Sequence, residues 1–301
     1  MTIPQEILED IIQLELTIKK HVKELNAGIR PSVYKGVGFD FEEYKEYEPG
    51  IDDVRRIDWN LVARNPKKVY VKRFREEKRL TVWIMADLTG SMKFGFRDST
   101  KKELLTKAAA TIGFSATHEQ DRVGLIILTD KVEKTLMPRS GRTHVYRLLE
   151  EIWGFDSSNR QTDLAKGLEE GKFYLKPSNM VFLLSDFADY QCFQIGSNFW
   201  RHAEEVSFRR DLIPVVLDED KSFLPNNAQG NIAIKDLESG KKRILQLSKK
   251  SYEEFLKKTQ ERYWMLKKSF MEFGVRPMFV AEDKNLDKLF KFFLFRKRER
   301  R

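Results

Sequence analysis

The sequence predicts an α/β protein with a doubly wound, Rossmann-like, mostly parallel sheet. Two observations carry that class. Five short apolar runs, rich in β-branched and aliphatic residues, recur after residue 80 without the apolar–polar alternation of a half-exposed strand. Helix-like segments lie between them, and strand–helix alternation of this kind gives a parallel sheet with right-handed crossovers.

Taken in order, residues 5–26 read as a helix, because Ile11, Leu14, Ile18, Val22 and Leu25 recur at spacings of three and four. Ala27-Gly28 stops it, with Pro31 shortly beyond. Gly36 and Gly38 punctuate a loop before the aromatic, acidic stretch Phe39-Asp40-Phe41-Glu42-Glu43-Tyr44. Residues 67–76 alternate basic and apolar (Val69, Val71, Phe74), which suits a strand or an extended arm. The apolar runs fall at 80–86, 122–128, 179–185, 211–217 and 276–281, and the helical segments at 100–119, 143–153, 162–174, 198–209, 251–273 and 285–295. Pro214 suggests an edge position or a bulge for its strand. Residues 218–248 break the alternation. Turn signals at Asn226-Asn227-Ala228-Gln229-Gly230 and Glu238-Ser239-Gly240-Lys241 flank Ile232-Ala233-Ile234 and Ile244-Leu245-Gln246-Leu247, predicting a small β-hairpin insertion. The expected organisation is an N-terminal helix and arm over residues 1–77, packed on a core domain at 78–300 that carries this insertion at 218–248.

Composition narrows the function classes. At 41% hydrophobic and 34% charged residues, the chain can build a core and a solvated surface. Cys192 is the one cysteine, and His21, His118, His144 and His202 are scattered singly, so any metal site must use oxygen ligands. No basic-then-apolar leader opens the sequence, and no apolar run approaches the roughly 20 residues that span a bilayer. The expectation is a cytoplasmic protein without a membrane span. The net charge of +9 is densest at residues 67–79 and 296–301, but Glu76, Glu77 and Glu299 interrupt both clusters. No nucleic-acid module accompanies them, so they read as a solvated face and a basic tail.

Ligands of open parallel sheets bind at the carboxyl ends of the strands. After the first run comes Asp87-Leu88-Thr89-Gly90-Ser91, with three oxygen-bearing side chains at alternate positions. After the third comes Ser185-Asp186-Phe187, and Thr162-Asp163 opens a helix between them. Two carboxylates and three hydroxyls are hard ligands suited to Mg²⁺ or Mn²⁺, with a position left for a carboxylate from a partner. Each piece also has a plain structural explanation: Thr162 as a helix N-cap, Asp186 as a turn residue, and Asp87 as ordinary strand-end chemistry.

Asp87-Leu88-Thr89-Gly90-Ser91 resembles the Asp-x-Ser-x-Ser signature of the metal-ion-dependent adhesion site (MIDAS) in von Willebrand factor A domains, with Thr89 replacing the first serine. Thr162 and Asp186 match that family's threonine and later aspartate. The stretch from Gly50 to Arg64, containing Asp52-Asp53-Val54-Arg55-Arg56-Ile57-Asp58-Trp59-Asn60, resembles the bacterial family called domain of unknown function 58. Glu46-Tyr47-Glu48-Pro49, Asp121-Arg122-Val123-Gly124-Leu125, Leu237-Glu238-Ser239-Gly240 and Leu289-Phe290-Lys291-Phe292-Phe293 fit its pattern too, whereas Ile51 departs from it. The likeness spans residues 30–300. It implies a von Willebrand factor A-like fold, a bound Mg²⁺ or Mn²⁺ held by Asp87, Thr89, Ser91, Thr162 and Asp186, and a protein partner, with a MoxR-type AAA+ ATPase system as the associated machinery.

Two segments invite rival readings. Asp52, Asp53, Arg55, Arg56, Asp58 and Arg64 could form a salt-bridged bracket with Trp59 as a hydrophobic anchor, stapling the N-terminal region to the sheet or forming a docking face. For the strand-end cluster, the alternatives are a metal-dependent hydrolase or phosphatase and a basic-surface nucleic-acid binder. Thr89 stands where a dehalogenase-type phosphatase needs a second acid. The sequence has no phosphate loop and no Gly-x-Ser-x-Gly elbow. The expectation is a binding module without turnover. A chelator should abolish its binding, whereas nucleic-acid binding should fall with salt.

Overall fold

The computed structural model describes residues 3–27, 39–66, 68–76, 79–93, 95–96, 99–156, 163–217, 230–235, 242–247, 249–281 and 285–299. In chain order, the first half carries α1 (Gln5–Ala27), β1 (Phe39–Glu46), α2 (Trp59–Arg64), β2 (Tyr70–Glu76), β3 (Thr81–Asp87), β4 (Gly95–Phe96), β5 (Ser99–Thr100), α3 (Lys101–His118), β6 (Arg122–Leu128), β7 (Val132–Arg139) and α4 (Arg142–Gly154). The second carries α5 (Leu164–Gly171), β8 (Met180–Ser185), α6 (Asn198–Arg209), β9 (Asp211–Leu217), β10 (Gly230–Lys235), β11 (Lys242–Leu247), α7 (Lys249–Glu272), β12 (Met278–Val280) and α8 (Leu286–Glu299). The chain divides into two units: Met1–Lys23 with Leu80–Arg301, and Glu24–Arg79.

The larger unit is a doubly wound α/β structure around a six-stranded sheet of order β12-β9-β8-β3-β6-β7, parallel throughout except for β7. The apolar runs are continuous because the central strands are buried on both faces. Along β3, Val82, Ile84 and Ala86 join one core layer with Ile11 of α1, Leu105 of α3, Leu148 of α4 and Phe293 of α8. Trp83 and Met85 join the other, with Leu168 of α5, Phe199 of α6 and Phe270 of α7. The indole of Trp83 donates to Asn179 Oδ1 at 3.2 Å. It also passes so close to Gly124 that a Cβ there would lie 2.7 Å from the ring, so only glycine fits that position of β6.

Helix α1 buries Ile7, Ile11, Ile18 and Val22, as its periodicity predicts. Ion pairs seat it on the unit. Lys107 of α3 meets Asp10 at 2.9 Å, and Arg142 of α4 meets the buried Glu15 at 2.7 Å, joined there by the Tyr146 hydroxyl at 3.0 Å.

Pro214 departs from expectation, since β9 lies inside the sheet and is buried along its whole length. The reason is local. β12 pairs only with Val215, Val216 and Leu217, so its ladder stops short of the proline. Strand β7, an antiparallel edge strand, is an addition that the apolar runs did not announce. The predicted hairpin is present as the antiparallel pair β10–β11, while its turn residues 236–241 lie outside the described residues.

In the smaller unit, β1 and β2 form an antiparallel pair. Asp58 caps α2 through the amides of Asn60 and Leu61, and its second oxygen takes the Lys72 ammonium at 2.9 Å and the Tyr44 hydroxyl at 3.1 Å. Asp52 pairs with Lys45 at 3.2 Å, and Asp53 caps a short 3₁₀ turn through the Arg55 amide. Among the described residues these acids are bonded to lysines, a tyrosine and main-chain amides, and no ion pair joins them to Arg55, Arg56 or Arg64 as the bracket reading would have it. Trp59 is 64% exposed, so it is not the buried anchor that its neighbours suggested.

Candidate metal centre

The sheet reverses its winding between β3 and β8: the chain runs outward from β3 to β6 and β7, then returns to lay down β8, β9 and β12 on the other side. In open α/β sheets such a switch point is the ligand-binding crevice, and here it falls at the carboxyl ends of β3 and β8. The two strands pair in register up to Ala86 with Leu184, so Asp87 and Ser185-Asp186 emerge side by side.

Asp87, the last residue of β3, is fully buried. One carboxylate oxygen accepts the Thr89 amide at 3.2 Å, and the other accepts the Ser185 hydroxyl at 2.6 Å. Both partners are neutral. Among the described residues no lysine, arginine or histidine pairs with Asp87. Thr89 is also fully buried, and its hydroxyl lies 3.1 Å from that of Ser91. Ser91 is half-buried, so the cluster approaches solvent there.

Asp186 is buried in a sharply built turn. Ser185 Oγ accepts the Phe187 amide at 2.8 Å, and Asp186 Oδ1 accepts the Ala188 amide at 3.0 Å. Phe187 adopts a φ of 49°, a left-handed conformation disfavoured for an aromatic residue. Edge-to-face packing against Phe199 and Phe270 holds it there. Lys101, the first residue of α3, places its ammonium 2.7 Å from Asp186 Oδ2. From α7, Arg262 donates to the Asp186 carbonyl at 2.7 Å and lies over the Phe193 ring.

The two carboxyls are pushed in opposite directions. Burial, and then the neighbouring Asp186 charge, pushes Asp87 up to about 7. Burial also opposes ionisation of Asp186, but the Lys101 ammonium, the Ala188 amide and Arg262 together outweigh it and keep that carboxyl below its usual range.

Of the predicted site residues, the structure brings Asp87, Thr89, Ser91 and Asp186 to one crevice. Thr162 lies outside the described residues. Its neighbour Asp163 caps α5 through the Lys166 amide and accepts Gln191 Nε2, and the adjacent Leu164 amide donates to Asp189. Sequence reasoning missed Ser185 as the donor to Asp87, Lys101 as the partner of Asp186, and Arg262. Ser185 could have been found, as a hydroxyl ending the strand beside β3. Lys101 and Arg262 carry no such signal among so many surface cations. Among the described residues, no three His, Cys, Asp or Glu side chains are gathered as a metal cluster. A cation here would depend on hydroxyl and water oxygens as well as the two carboxylates. That donor set fits Mg²⁺ or Mn²⁺, and the uncompensated buried charge of Asp87 fits a cation beside it.

Comparisons with known proteins place these features in context. The family model described as protein of unknown function DUF58 matches residues 43–263. Uncharacterized proteins of Mycobacterium tuberculosis and Mycobacterium bovis are 28% identical over 231 residues, covering 75% of this chain and 69% of theirs. Among solved structures, the conserved hypothetical protein BatB from Bacteroides thetaiotaomicron is similar at a TM-score of 0.48 and 12% identity, over 73% of this chain and 99% of that one. A von Willebrand factor type A protein from Catenulispora acidiphila is similar at a TM-score of 0.42 and 11% identity, over 87% and 51%. No helix among the described residues is long and apolar enough to cross a membrane.

Proposed function

Because the chain belongs to the family described as protein of unknown function DUF58, we propose a function from the site itself: a metal-dependent protein-binding module that performs no chemical turnover. Asp87, Thr89 and Ser91 would hold Mg²⁺ or Mn²⁺, with Asp186 and Thr162 completing the set directly or through water. When bound, the ion supplies a positive centre for a glutamate or aspartate of a partner protein.

One observation carries this reading. Asp87 is fully buried and, among the described residues, has only neutral donors on its oxygens, and a buried carboxylate without a counter-charge is costly unless a cation joins it. The chain's own residues do the rest. Ser185 and the Thr89 amide orient the Asp87 carboxylate, the strained turn at Phe187 fixes Asp186, and half-buried Ser91 marks the open side. On the loop after β8, Tyr190 and Ile195 are exposed large apolar side chains that give a partner something to cover. The resemblance to families that work with MoxR-type AAA+ ATPases makes such an ATPase system the first partner to try.

The test is calorimetric titration of Mg²⁺ and Mn²⁺ into chelator-treated wild type and Asp87→Ala, followed by pull-down of a MoxR-type ATPase with metal and chelator arms. Saturable binding lost in the variant, and capture lost with chelator, are the expected results. Capture that ignores the chelator but falls steeply with salt would point instead to a basic-surface binder.

A further inference from the structure

Lys101 stands apart from the other charged groups around the crevice. Its ammonium is 2.7 Å from Asp186 Oδ2, with the lysine side chain 17% exposed and the aspartate side chain 3% exposed. The other oxygen of Asp186 is taken by the Ala188 amide, so both are engaged. Asp87, on the adjacent strand, has no such cation among the described residues. Among the described residues Arg262 binds the Asp186 main-chain carbonyl, whereas Lys101 sits on the Asp186 carboxylate itself, the one expected to serve a metal.

We propose that Lys101 is a built-in competitor for the cation: its ammonium occupies Asp186 in the metal-free protein and must leave for a divalent ion to engage that carboxylate. This rests on the metal-binding reading above and adds a residue that sets the affinity of the site. The geometry suits an exchangeable rather than a permanent pair. The Lys101 backbone is fixed at the start of α3, where the Thr100 hydroxyl accepts the Glu103 amide at 3.2 Å. The charge itself rides on a flexible four-carbon stem. An ammonium has three donors, and among the described residues this one meets a single acceptor, so solvent can complete its shell once it swings away. Two cations crowded on one buried carboxylate repel strongly, which makes joint occupancy unfavourable.

The experiment is Mg²⁺ calorimetry on wild type, Lys101→Met, Lys101→Arg and Lys102→Met. Lys102 is the charge control. It removes the same charge one residue away, where the ammonium is bonded to the Phe155 carbonyl at 2.7 Å. Losing the competitor should tighten Mg²⁺ binding by about tenfold or more, the scale of one charge-assisted hydrogen bond. Lys101→Arg should stay near wild type, and Lys102→Met should change little. A second readout uses the wild type alone, so it does not depend on a variant folding. Saturating Mg²⁺ should raise acylation of Lys101 by an amine-reactive reagent severalfold, read by mass spectrometry, and leave Lys102 unchanged.

Binding by Lys101→Met where wild type shows none would also support the proposal. Equal Mg²⁺ affinities in wild type and Lys101→Met, with Lys101 labelling unmoved by metal, would overturn it and leave the metal site standing. An equal gain in Lys102→Met would overturn it as well, reducing the effect to general charge. Absence of binding in every protein would remove the metal reading and this inference with it.

Discussion

Two buried aspartates at opposite ends of the parallel sheet, Asp211 and Asp87, are held in opposite ways. At the amino end, Asp211, the first residue of β9, receives a forked guanidinium from Arg296 of α8, at 2.9 Å from Nη2 and 3.1–3.2 Å from Nε. At the carboxyl end, Asp87 is fully buried and, among the described residues, meets only a hydroxyl and an amide. A carboxylate matched to a charge inside the protein has a structural task. One left unmatched marks a place where the fold holds charge ready for something it does not itself supply.

The sharpest way to break that contrast is to truncate one member of each end. Asp87→Ala should abolish Mg²⁺ binding by calorimetry while Asp211→Ala retains it, and equal loss in both would erase the distinction. The amino end should answer in stability instead. Asp211→Ala should lower the unfolding free energy in urea by about 1.5–3 kcal/mol, kept modest because the Arg296 side chain is 40% exposed and can rehydrate. Ser185→Ala is a subtler probe. It removes the hydroxyl that orients Asp87 and should weaken Mg²⁺ binding by about tenfold without abolishing it, as losses in the shell around a metal ligand do.

The smallest effect is in pH. In chelator, Asp87 is pushed up to about 7 in the folded protein, against 3.8 for an unperturbed aspartate. Between those values the folded state holds a proton that the unfolded state has released, so this residue's contribution to stability falls as pH rises through the window. Asp186, held below its usual range, acts oppositely and only on acidification, where its contribution is lost. Asp87→Asn should therefore gain stability relative to wild type as metal-free samples are taken from about pH 5 to about pH 8. A pH-independent difference between the two would contradict the burial of an unmatched carboxylate.

The parts of the fold legible in the sequence are those where burial is symmetric. β3, β6, β8 and β9 read as unbroken apolar runs because helices cover both sheet faces. β7 did not, since its exposed positions include Lys134 and Arg139 and its pairing is an edge ladder. β12 spans three residues, too few to fix its limits by pattern. Within the crevice, Asp87, Thr89, Ser91 and Asp186 were legible because strand ends of an open sheet are where ligands sit. Lys101 and Arg262 were not: each reaches Asp186 across more than seventy residues of sequence, from a helix whose many cations look alike until the chain is folded.

The order in which the chain builds its larger unit has a practical outcome. The polypeptide leaves that unit after Lys23 and rejoins it at Leu80, yet α1 belongs to its core through Ile11 and Ile18 and through the Asp10–Lys107 and Glu15–Arg142 pairs. A single protease cut between those two points would leave the N-terminal fragment docked, giving a nicked protein that migrates as one species until denatured. The same break point defines a split protein, whose two halves, made separately, should find each other by way of α1.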